Sequence, residues 1–330
     1  MAGYKEIKGF QVQTRSEDPS PTEVQTGDFY YNSTTGQFRV ISDGGAPIGT
    51  WASGGNLNTS RGQPSKGSGT QTAAIIAGGK NPSSNPVANA EQYNGSSWTE
   101  VSDLNTSRSG SPGSAKLAPY TATIIFGGES NPSGAVTTNT ETWDGSSWTE
   151  VNNLNSGRSY LGGSGSSSTS ALAFGGSSSA VTETWNGSSW TEVNDLNTAR
   201  SGLGSAGSAT AALAIGSGGN KVEQWDGSSW TEVSEMNVDA SYATGAGTST
   251  DTLAWGGYNN PPGYLTKNEF WNGSSWTEVA DLSSARGATG AGGTGSTSAL
   301  AAGGDTAPGR TNATEEFTAA DFEIKSVTQS

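Results

Sequence analysis

The side chains of this chain that could do chemistry are mainly arginines and carboxylates, because its 330 residues include no histidine and no cysteine. The chain therefore lacks the commonest general base, the usual nucleophile pairs and nearly all ligand sets for zinc, copper or iron. Two carboxylates could still hydrolyse a glycoside. Against this, few carboxylates stand outside a repeating pattern, and no calcium-binding or phosphate-binding loop motif is present. We expect no enzymatic activity and no cofactor.

Arginines and glutamates recur at equivalent places in successive copies of a repeat. The arginines are Arg61, Arg108, Arg158, Arg200 and Arg286, with Ala240 in the remaining place, and the glutamates are Glu91, Glu141, Glu183, Glu223, Glu269 and Glu315. Each glutamate precedes an aromatic residue by two positions, which puts both side chains on one face of a strand. A carboxylate beside a buried ring needs a cationic partner. We predict a ring of structural Arg–Glu pairs that locks neighbouring repeats together, because an active site needs a unique set of residues.

Tryptophans mark the copies of the repeat, namely Trp51, Trp98, Trp148, Trp190, Trp230 and Trp276. The intervals between them are 47, 50, 42, 40 and 46 residues, which is the length of one four-stranded blade of a β-propeller. Asn-Gly or Asp-Gly recurs between the third and fourth strands of a copy, because both pairs adopt the positive φ angles of a tight turn. The repeat therefore predicts an all-β fold.

The copies resemble the kelch repeat in three features: an arginine before the inner strand, a double glycine after the second, and an aromatic residue and a tryptophan in the third and fourth. The double glycines are Gly78-Gly79, Gly127-Gly128, Gly175-Gly176, Gly256-Gly257 and Gly303-Gly304, with Gly216-Ser217 in the fourth copy. The resemblance covers about residues 49 to 319 and implies a six-bladed kelch-like β-propeller. It transfers no function, since galactose-oxidase-like propellers need metal-binding histidines.

The ends of the repeat predict how the propeller closes. The last copy lacks a tryptophan strand, and the first begins with Trp51 without three preceding strands. We expect residues 50 to 54 to form the outer strand of the last blade, which would hide two sheet edges. The alternative is that residues 322 to 327 supply this strand and Trp51 caps it. The predicted organisation is an N-terminal attachment extension with a β-hairpin (1–48), the propeller (49–319) and a C-terminal tail (320–330).

The loops that follow the double glycines differ most between copies, and strand alternation places them all at one end of the blades. The candidate binding face consists of Asn81, Pro82, Asn131, Pro132, Tyr258, Asn259, Asn260 and Tyr264. Aromatic and amide groups suit stacking on sugars and hydrogen bonding to them or to a protein partner. The alternative is that these are ordinary polar surface loops.

The extension contains a predicted strand, turn and strand between residues 27 and 41, with Phe29, Tyr30, Tyr31 and Phe38 as its aromatic residues. This segment resembles the Gly-Asp-aromatic-Tyr-Asn hairpins found near the attachment ends of bacteriophage tail fibres and other virion appendages. The resemblance implies a structural protein of a phage virion, assembled in the host cytoplasm. Residues 1–48 would bind other virion proteins, and the propeller would face a host-surface glycan or protein, or a neighbouring virion protein.

Charge and hydropathy limit the kinds of partner that we expect for the chain. The net charge of −14 disfavours binding to nucleic acid. We also expect no membrane insertion, since no stretch approaches the ~18 apolar residues of a spanning helix, and no secretory signal, since the N-terminus lacks an apolar run. Two other functions stay open: a carbohydrate-binding, lectin-like propeller, and a cytoplasmic kelch scaffold for protein partners.

Overall fold

The computed structural model describes residues 13–16, 29–42, 49–65, 67–112, 119–130, 133–295, 297–319 and 323–326. All regular elements in this part of the chain are β-strands, so the predicted all-β fold is confirmed. The chain divides into two compact units, one of residues 49–319 and one of residues 1–48 with 320–330.

Residues 49–319 form antiparallel sheets of one pattern, numbered 1 to 6 along the chain. Sheet 1 contains strands Ser68–Thr70, Ala73–Ala77, Ala90–Tyr93 and Trp98–Val101, and the described strands of sheet 2 are Ile124–Phe126, Thr140–Trp143 and Trp148–Val151. Sheet 3 contains Gly162–Ser167, Ser170–Phe174, Thr182–Trp185 and Trp190–Val193, and sheet 4 contains Gly204–Gly207, Ala212–Ile215, Val222–Trp225 and Trp230–Val233. Sheet 5 contains Thr244–Gly247, Thr252–Trp255, Asn268–Trp271 and Trp276–Val279, and sheet 6 contains Gly290–Gly295, Ser298–Ala302, Thr314–Ala319 and Gly49–Ser53.

The strands of each sheet follow from their residues. The second strands are runs of alanine and larger apolar residues and are buried almost throughout. The third and fourth strands join in a tight turn, in which Asn94 Oδ1 accepts hydrogen bonds from the backbone N–H groups of Ser96 and Ser97, and Gly95 has φ +90°. The loops between second and third strands lie at the opposite end, because neighbouring strands are antiparallel. We call the two ends of the sheets the loop end and the turn end.

Neighbouring sheets pack through aromatic and aliphatic side chains. Between sheets 3 and 4, Phe174 and Trp230 lie 4.8 Å apart between ring centroids, and Leu172 and Trp225 belong to the same buried cluster. Sheets 6 and 1 pack in the same way, with Leu300 beside Ile76 and Trp98. Truncating such an aromatic residue to alanine typically costs about 3 to 5 kcal/mol, so these contacts between sheets carry much of the stability.

Three outer-strand tryptophans donate to the first residue of the third strand of a neighbouring sheet. Trp190 Nε1 donates to Thr140 Oγ1 at 3.1 Å, Trp230 Nε1 to Thr182 Oγ1 at 3.1 Å, and Trp98 Nε1 to Thr314 Oγ1 at 2.9 Å. Sheet 1 has Ala90 at this position, and the Nε1 of Trp148 in sheet 2 is buried without a hydrogen-bond partner among the described residues. The orphaned donor follows from alanine standing where sheets 2, 3 and 6 have threonine.

The outer strand of sheet 6 comes from the start of this unit. Gly49–Ser53 pairs antiparallel with Thr314–Ala319, which places Trp51 opposite Phe317. The alternative expectation, that residues 322 to 327 fill this place, is wrong because Glu323–Ser326 pairs with Gln37–Ser42 of the other unit.

The second unit contains one sheet, in the order Gln13–Arg15, Phe29–Asn32, Gln37–Ser42 and Glu323–Ser326. The first two strands are parallel and the other pairs are antiparallel. The C-terminal strand thus adds an edge to the N-terminal hairpin, whereas the sequence led us to expect a separate tail.

Candidate binding site at the loop end

The repeated arginines and glutamates form buried salt bridges, which are Arg61–Glu91, Arg108–Glu141, Arg158–Glu183, Arg200–Glu223 and Arg286–Glu315. Arg158 Nη2 lies 2.7 Å from Glu183 Oε1, and its Nη1 donates to the carbonyl oxygens of Gly175 at 2.8 Å and Val181 at 2.6 Å. Burial lowers the pKa of each arginine, and the paired glutamate partly opposes that change. These side chains are buried inside the sheets and are closed to a substrate.

The structure places each salt bridge within one sheet, whereas we expected the pairs to link neighbouring repeats. Arg200 precedes the first strand of sheet 4, and Glu223 lies in the third strand of that sheet. The link to sheet 3 is made by the backbone: Arg200 N–H donates to Ser179 O at 3.2 Å, and Gly176 N–H donates to Arg200 O at 2.8 Å. The guanidinium of Arg200 therefore binds within sheet 4, and its peptide group binds the preceding sheet 3.

Sheet 5 has Ala240 in place of the arginine, yet Glu269 is as buried as its counterparts. Glu269 Oε2 accepts hydrogen bonds from the Asn237 N–H at 2.8 Å and Nδ2 at 2.7 Å, and Oε1 accepts one from the Val238 N–H at 2.9 Å. Ala240 packs against Leu265. Among the described residues no cationic side chain pairs with this carboxylate. The asparagine donors to Oε2 are shared with other sheets, so the Val238 N–H alone takes the place of the guanidinium at Oε1.

Two positions after each arginine place, a residue with positive φ borders one cavity that is shared by all six copies. We call these the central residues: Gln63, Gly110, Tyr160, Gly202, Tyr242 and Ala288, with φ of 51°, 59°, 55°, 79°, 59° and 49°. They are hydrogen-bonded in series, from Gly110 N–H to Gln63 O, Tyr160 N–H to Gly110 O, Gly202 N–H to Tyr160 O, Tyr242 N–H to Gly202 O and Ala288 N–H to Tyr242 O. The series joins every sheet to the next along the chain.

Large and small central residues alternate, and the rings need the glycines. A Cβ atom added to Gly110 would lie 2.9 Å from the ring of Tyr160, and one added to Gly202 would lie 2.9 Å from that of Tyr242. The central residues line a cavity of about 20 Å³, together with Pro64, Leu161 and Leu203 among others. That volume holds about one water molecule, so a ligand at this place must bind on top of the rings.

The first residue after each double-glycine place borders the central residues. We call these the rim residues: Lys80, Glu129, Ser177, Gly218, Tyr258 and Asp305. Each sheet supplies a different residue type, and the backbone bridges Gly62 to Lys80, Ser109 to Glu129, Ser241 to Tyr258 and Gly287 to Asp305 hold four of them beside the central residues. Central and rim residues together form a mouth at the loop end.

Hydrogen bonds and a salt bridge connect central residues to rim residues within the mouth. Lys80 Nζ lies 2.8 Å from Glu129 Oε2 and 3.2 Å from the hydroxyl of Tyr160, which itself donates to Gln63 Oε1 at 2.9 Å. Gln63 Nε2 donates to Asp305 Oδ2 at 2.9 Å. Burial opposes the charge of Lys80, but its hydrogen bonds to Glu129 and Tyr160 prevail and raise its pKa. Burial raises the pKa of Tyr160, so both groups keep their protons at neutral pH.

Part of the predicted binding face lies at the mouth, to which Tyr258 belongs, and part lies beside it. Tyr258 and Tyr264 pair across a short hairpin of Tyr258–Asn259 and Gly263–Tyr264, with ring centroids 5.2 Å apart, and Asn260 is exposed at its tip.

The other predicted positions lie farther out in the loops. Asn81 Oδ1 accepts a hydrogen bond from the Asn85 N–H at 3.0 Å, its carbonyl accepts one from Arg310 at 2.7 Å, and Pro82 is exposed. Asn131 and Pro132 lie outside the described residues.

Sequence reasoning missed Gln63, Tyr160, Tyr242, Glu129 and Asp305. Two signals could have found them: the alternation of large and small residues two places after the arginine, and the different residue after each double glycine. Among the described residues, no group of three or more carboxylates is arranged to hold a metal ion.

The predicted attachment hairpin exposes one aromatic face. Phe29 and Phe38 are 41% and 45% exposed, and their rings stack 5.4 Å apart, with Tyr31 5.2 Å from Phe38. Tyr30 is buried on the other face, and Asn32 Oδ1 shapes the turn by accepting from the Thr34 and Thr35 N–H groups. These stacked rings therefore keep part of their surface in contact with solvent.

No helix in the described ranges is long and apolar enough to span a membrane. The chain matches no model of a known protein family, and no curated protein is significantly similar to it in sequence.

Proposed function

We propose that this chain is a non-enzymatic structural protein of a phage virion, a tail-fibre-like appendage or a decoration. In this proposal residues 1–48 attach it to other virion proteins, and residues 49–319 form a six-bladed kelch-like propeller that meets a host surface or a neighbouring virion protein. The observation that carries it is the stacked, solvent-exposed pair Phe29 and Phe38 in a compact unit of its own.

A closed six-bladed ring is supported by contacts between the last and the first sheet. Trp98 donates to Thr314, and the first strands of sheets 6 and 1 contact each other. The outer strand Gly49–Ser53 in sheet 6 would then join the two ends of the ring and leave no open edge between them.

A structural role is supported by how the charged groups are used. The repeated glutamates are buried and satisfied inside the sheets, and the central cavity holds about one water molecule. An active site needs a unique reactive group beside space for a substrate, and the repeated, buried glutamates do not meet that requirement.

A lectin-like propeller is the second candidate. It is favoured by the paired rings of Tyr258 and Tyr264 beside the mouth, since half-buried aromatic rings and amides are the groups that bind sugars.

The attachment is tested by purifying particles from infected host cells and measuring the chain in them by mass spectrometry. We expect it to copurify with particles, and the double variant Phe29→Ser, Phe38→Ser to be lost from them. Val136→Ser is the matched control, because Val136 is 47% exposed but lies in residues 49–319. Absence of the native chain from particles would refute the proposal, and full incorporation of the double variant would refute the role of the hairpin.

A further inference from the structure

Tyrosine rings gather at the mouth and its border. Tyr160 and Tyr242 are central residues whose ring centroids lie 5.6 Å apart, edge to face. Tyr258 and Tyr264 pack in the adjacent hairpin, and Ser241, next to Tyr242, exchanges two backbone hydrogen bonds with Tyr258. All four rings are half-buried, so each keeps part of its surface for a ligand.

The charges beside these rings cancel. Glu129 is paired with Lys80 at 2.8 Å, and Asp305 with Arg310 at 3.1 Å. A surface without net charge gives no electrostatic advantage to phosphate, sulfate or ammonium groups. Glu129 Oε1 accepts no hydrogen bond from a described residue, so it is open to a donor from a ligand. A ligand that fits here offers uncharged hydrogen-bond donors to the carboxylate and packs against the aromatic rings, and sugars with their hydroxyl groups have these properties.

The shape of the mouth limits how a ligand binds. The cavity that the central residues line has room for about one water molecule, so the ligand lies across the rings and does not enter the unit. A flat C–H face on an aromatic ring, with hydroxyl groups at its edge, meets this requirement.

From these contacts we infer that the mouth binds a neutral saccharide, with the C–H face of one sugar unit on Tyr242 and a hydroxyl group of the sugar donating to Glu129 Oε1. This inference deepens the proposed function and rests on it, because it takes the loop end as the surface that meets the host. It assigns the binding to the centre of the loop end, whereas Asn81 and Pro82 lie farther out in the loops.

A glycan array that carries neutral, acidic and amino sugars tests the inference with the full-length chain, followed by calorimetric titration of the strongest glycan. We expect neutral glycans to bind, with an affinity that changes by less than about twofold between about 0.05 M and about 0.5 M salt, since screening acts only on charges. Preference for acidic or amino glycans, or no glycan bound at all, would overturn the inference.

The site is located with variants in which a residue is replaced by one that another sheet carries at the equivalent position, or by a close analogue. Tyr242→Gly keeps the backbone conformation, because Gly110 and Gly202 occupy the equivalent places. We expect this variant to bind the glycan at least about tenfold more weakly than the native chain does. Glu129→Gln is the second variant, should Tyr242→Gly fold poorly. Asn186→Asp is the matched control at the turn end, where Asp144 and Asp226 hold the same turn in other sheets.

Unchanged affinity in both mouth variants would overturn the inference. The outcome is independent of particle incorporation: a chain found in particles that binds no glycan keeps its structural role and loses this site, and the reverse result separates the two proposals equally.

Discussion

Equivalent positions inside the sheets hold nearly the same residue in every copy, whereas equivalent positions at the mouth hold different ones. The interior repeats arginine, glutamate, double glycine and tryptophan, and the rim residues are Lys80, Glu129, Ser177, Gly218, Tyr258 and Asp305. The repeated arginines and glutamates are buried and hydrogen-bonded within their sheets. Rim side chains are partly exposed, as with Lys80 at 18% and Glu129 at 13%. Constancy therefore marks the residues that build the fold, and difference marks those free to serve binding.

The largest effect is expected from breaking an interior salt bridge. Arg200→Ala leaves Glu223 buried without its cation and removes hydrogen bonds to two carbonyl oxygens. We expect the free energy of unfolding to fall by about 3 kcal/mol, measured by urea denaturation. A loss below roughly 0.5 kcal/mol would mean that the pair behaves as a solvated one. The interior residues would then contribute no more to stability than surface residues do.

A smaller effect, an increase in the free energy of unfolding, is expected when one interior residue is replaced by the residue found at equivalent positions in other sheets. Ala90→Thr would place a hydroxyl group where Thr140 and Thr182 accept from a tryptophan, beside the unpartnered Nε1 of Trp148. We expect about 1 kcal/mol of added stability. Val222→Thr is the control, since the nearby Trp276 Nε1 already donates to Ser234 O at 3.1 Å. Equal changes in both variants would contradict this reason.

The smallest effect concerns the exposed turns. Hydrogen bonds from the Ser229 and Ser228 N–H groups and the Ser228 hydroxyl lower the pKa of Asp226 to about 2, below its unfolded value of about 3.9. The stabilisation is therefore present above about pH 4 and is lost as the pH falls through about 2. Asp226→Asn should show less acid destabilisation between those pH values than the native chain does, as measured by melting temperature. Identical pH profiles would show that the turn does not contribute.

The sequence predicted the interior well because its signals are local and repeated. Period-two placement brought Glu183 onto the face of Trp185, and Asn-Gly identified the turns, so the elements and their order follow from spacing alone. It did not reveal that Arg158 binds Glu183 in its own sheet, because the path of the chain between the sheets decides which repeat a side chain enters.

The residues that form the mouth could not be predicted from local sequence patterns. Tyr160 and Gln63 are 97 residues apart and meet only through the arrangement of several sheets. The place of Glu323–Ser326 beside Gln37–Ser42 is likewise a long-range pairing that no local pattern marks. Positions that differ between copies carry no repeat signal, so their meeting has to be seen in three dimensions.

The contrast between interior and mouth is tested most directly by comparing two free energies of unfolding in urea. One variant carries Arg200→Ala, and the other carries Lys80→Ser, Glu129→Ser, Tyr258→Ser and Asp305→Ser together, each taking the residue found at Ser177. We predict that four changes at the rim cost less than half of what the single interior change costs, since partly exposed pairs contribute little. A fourfold variant that is less stable than Arg200→Ala would contradict the account, because the mouth would then be part of what holds the fold together.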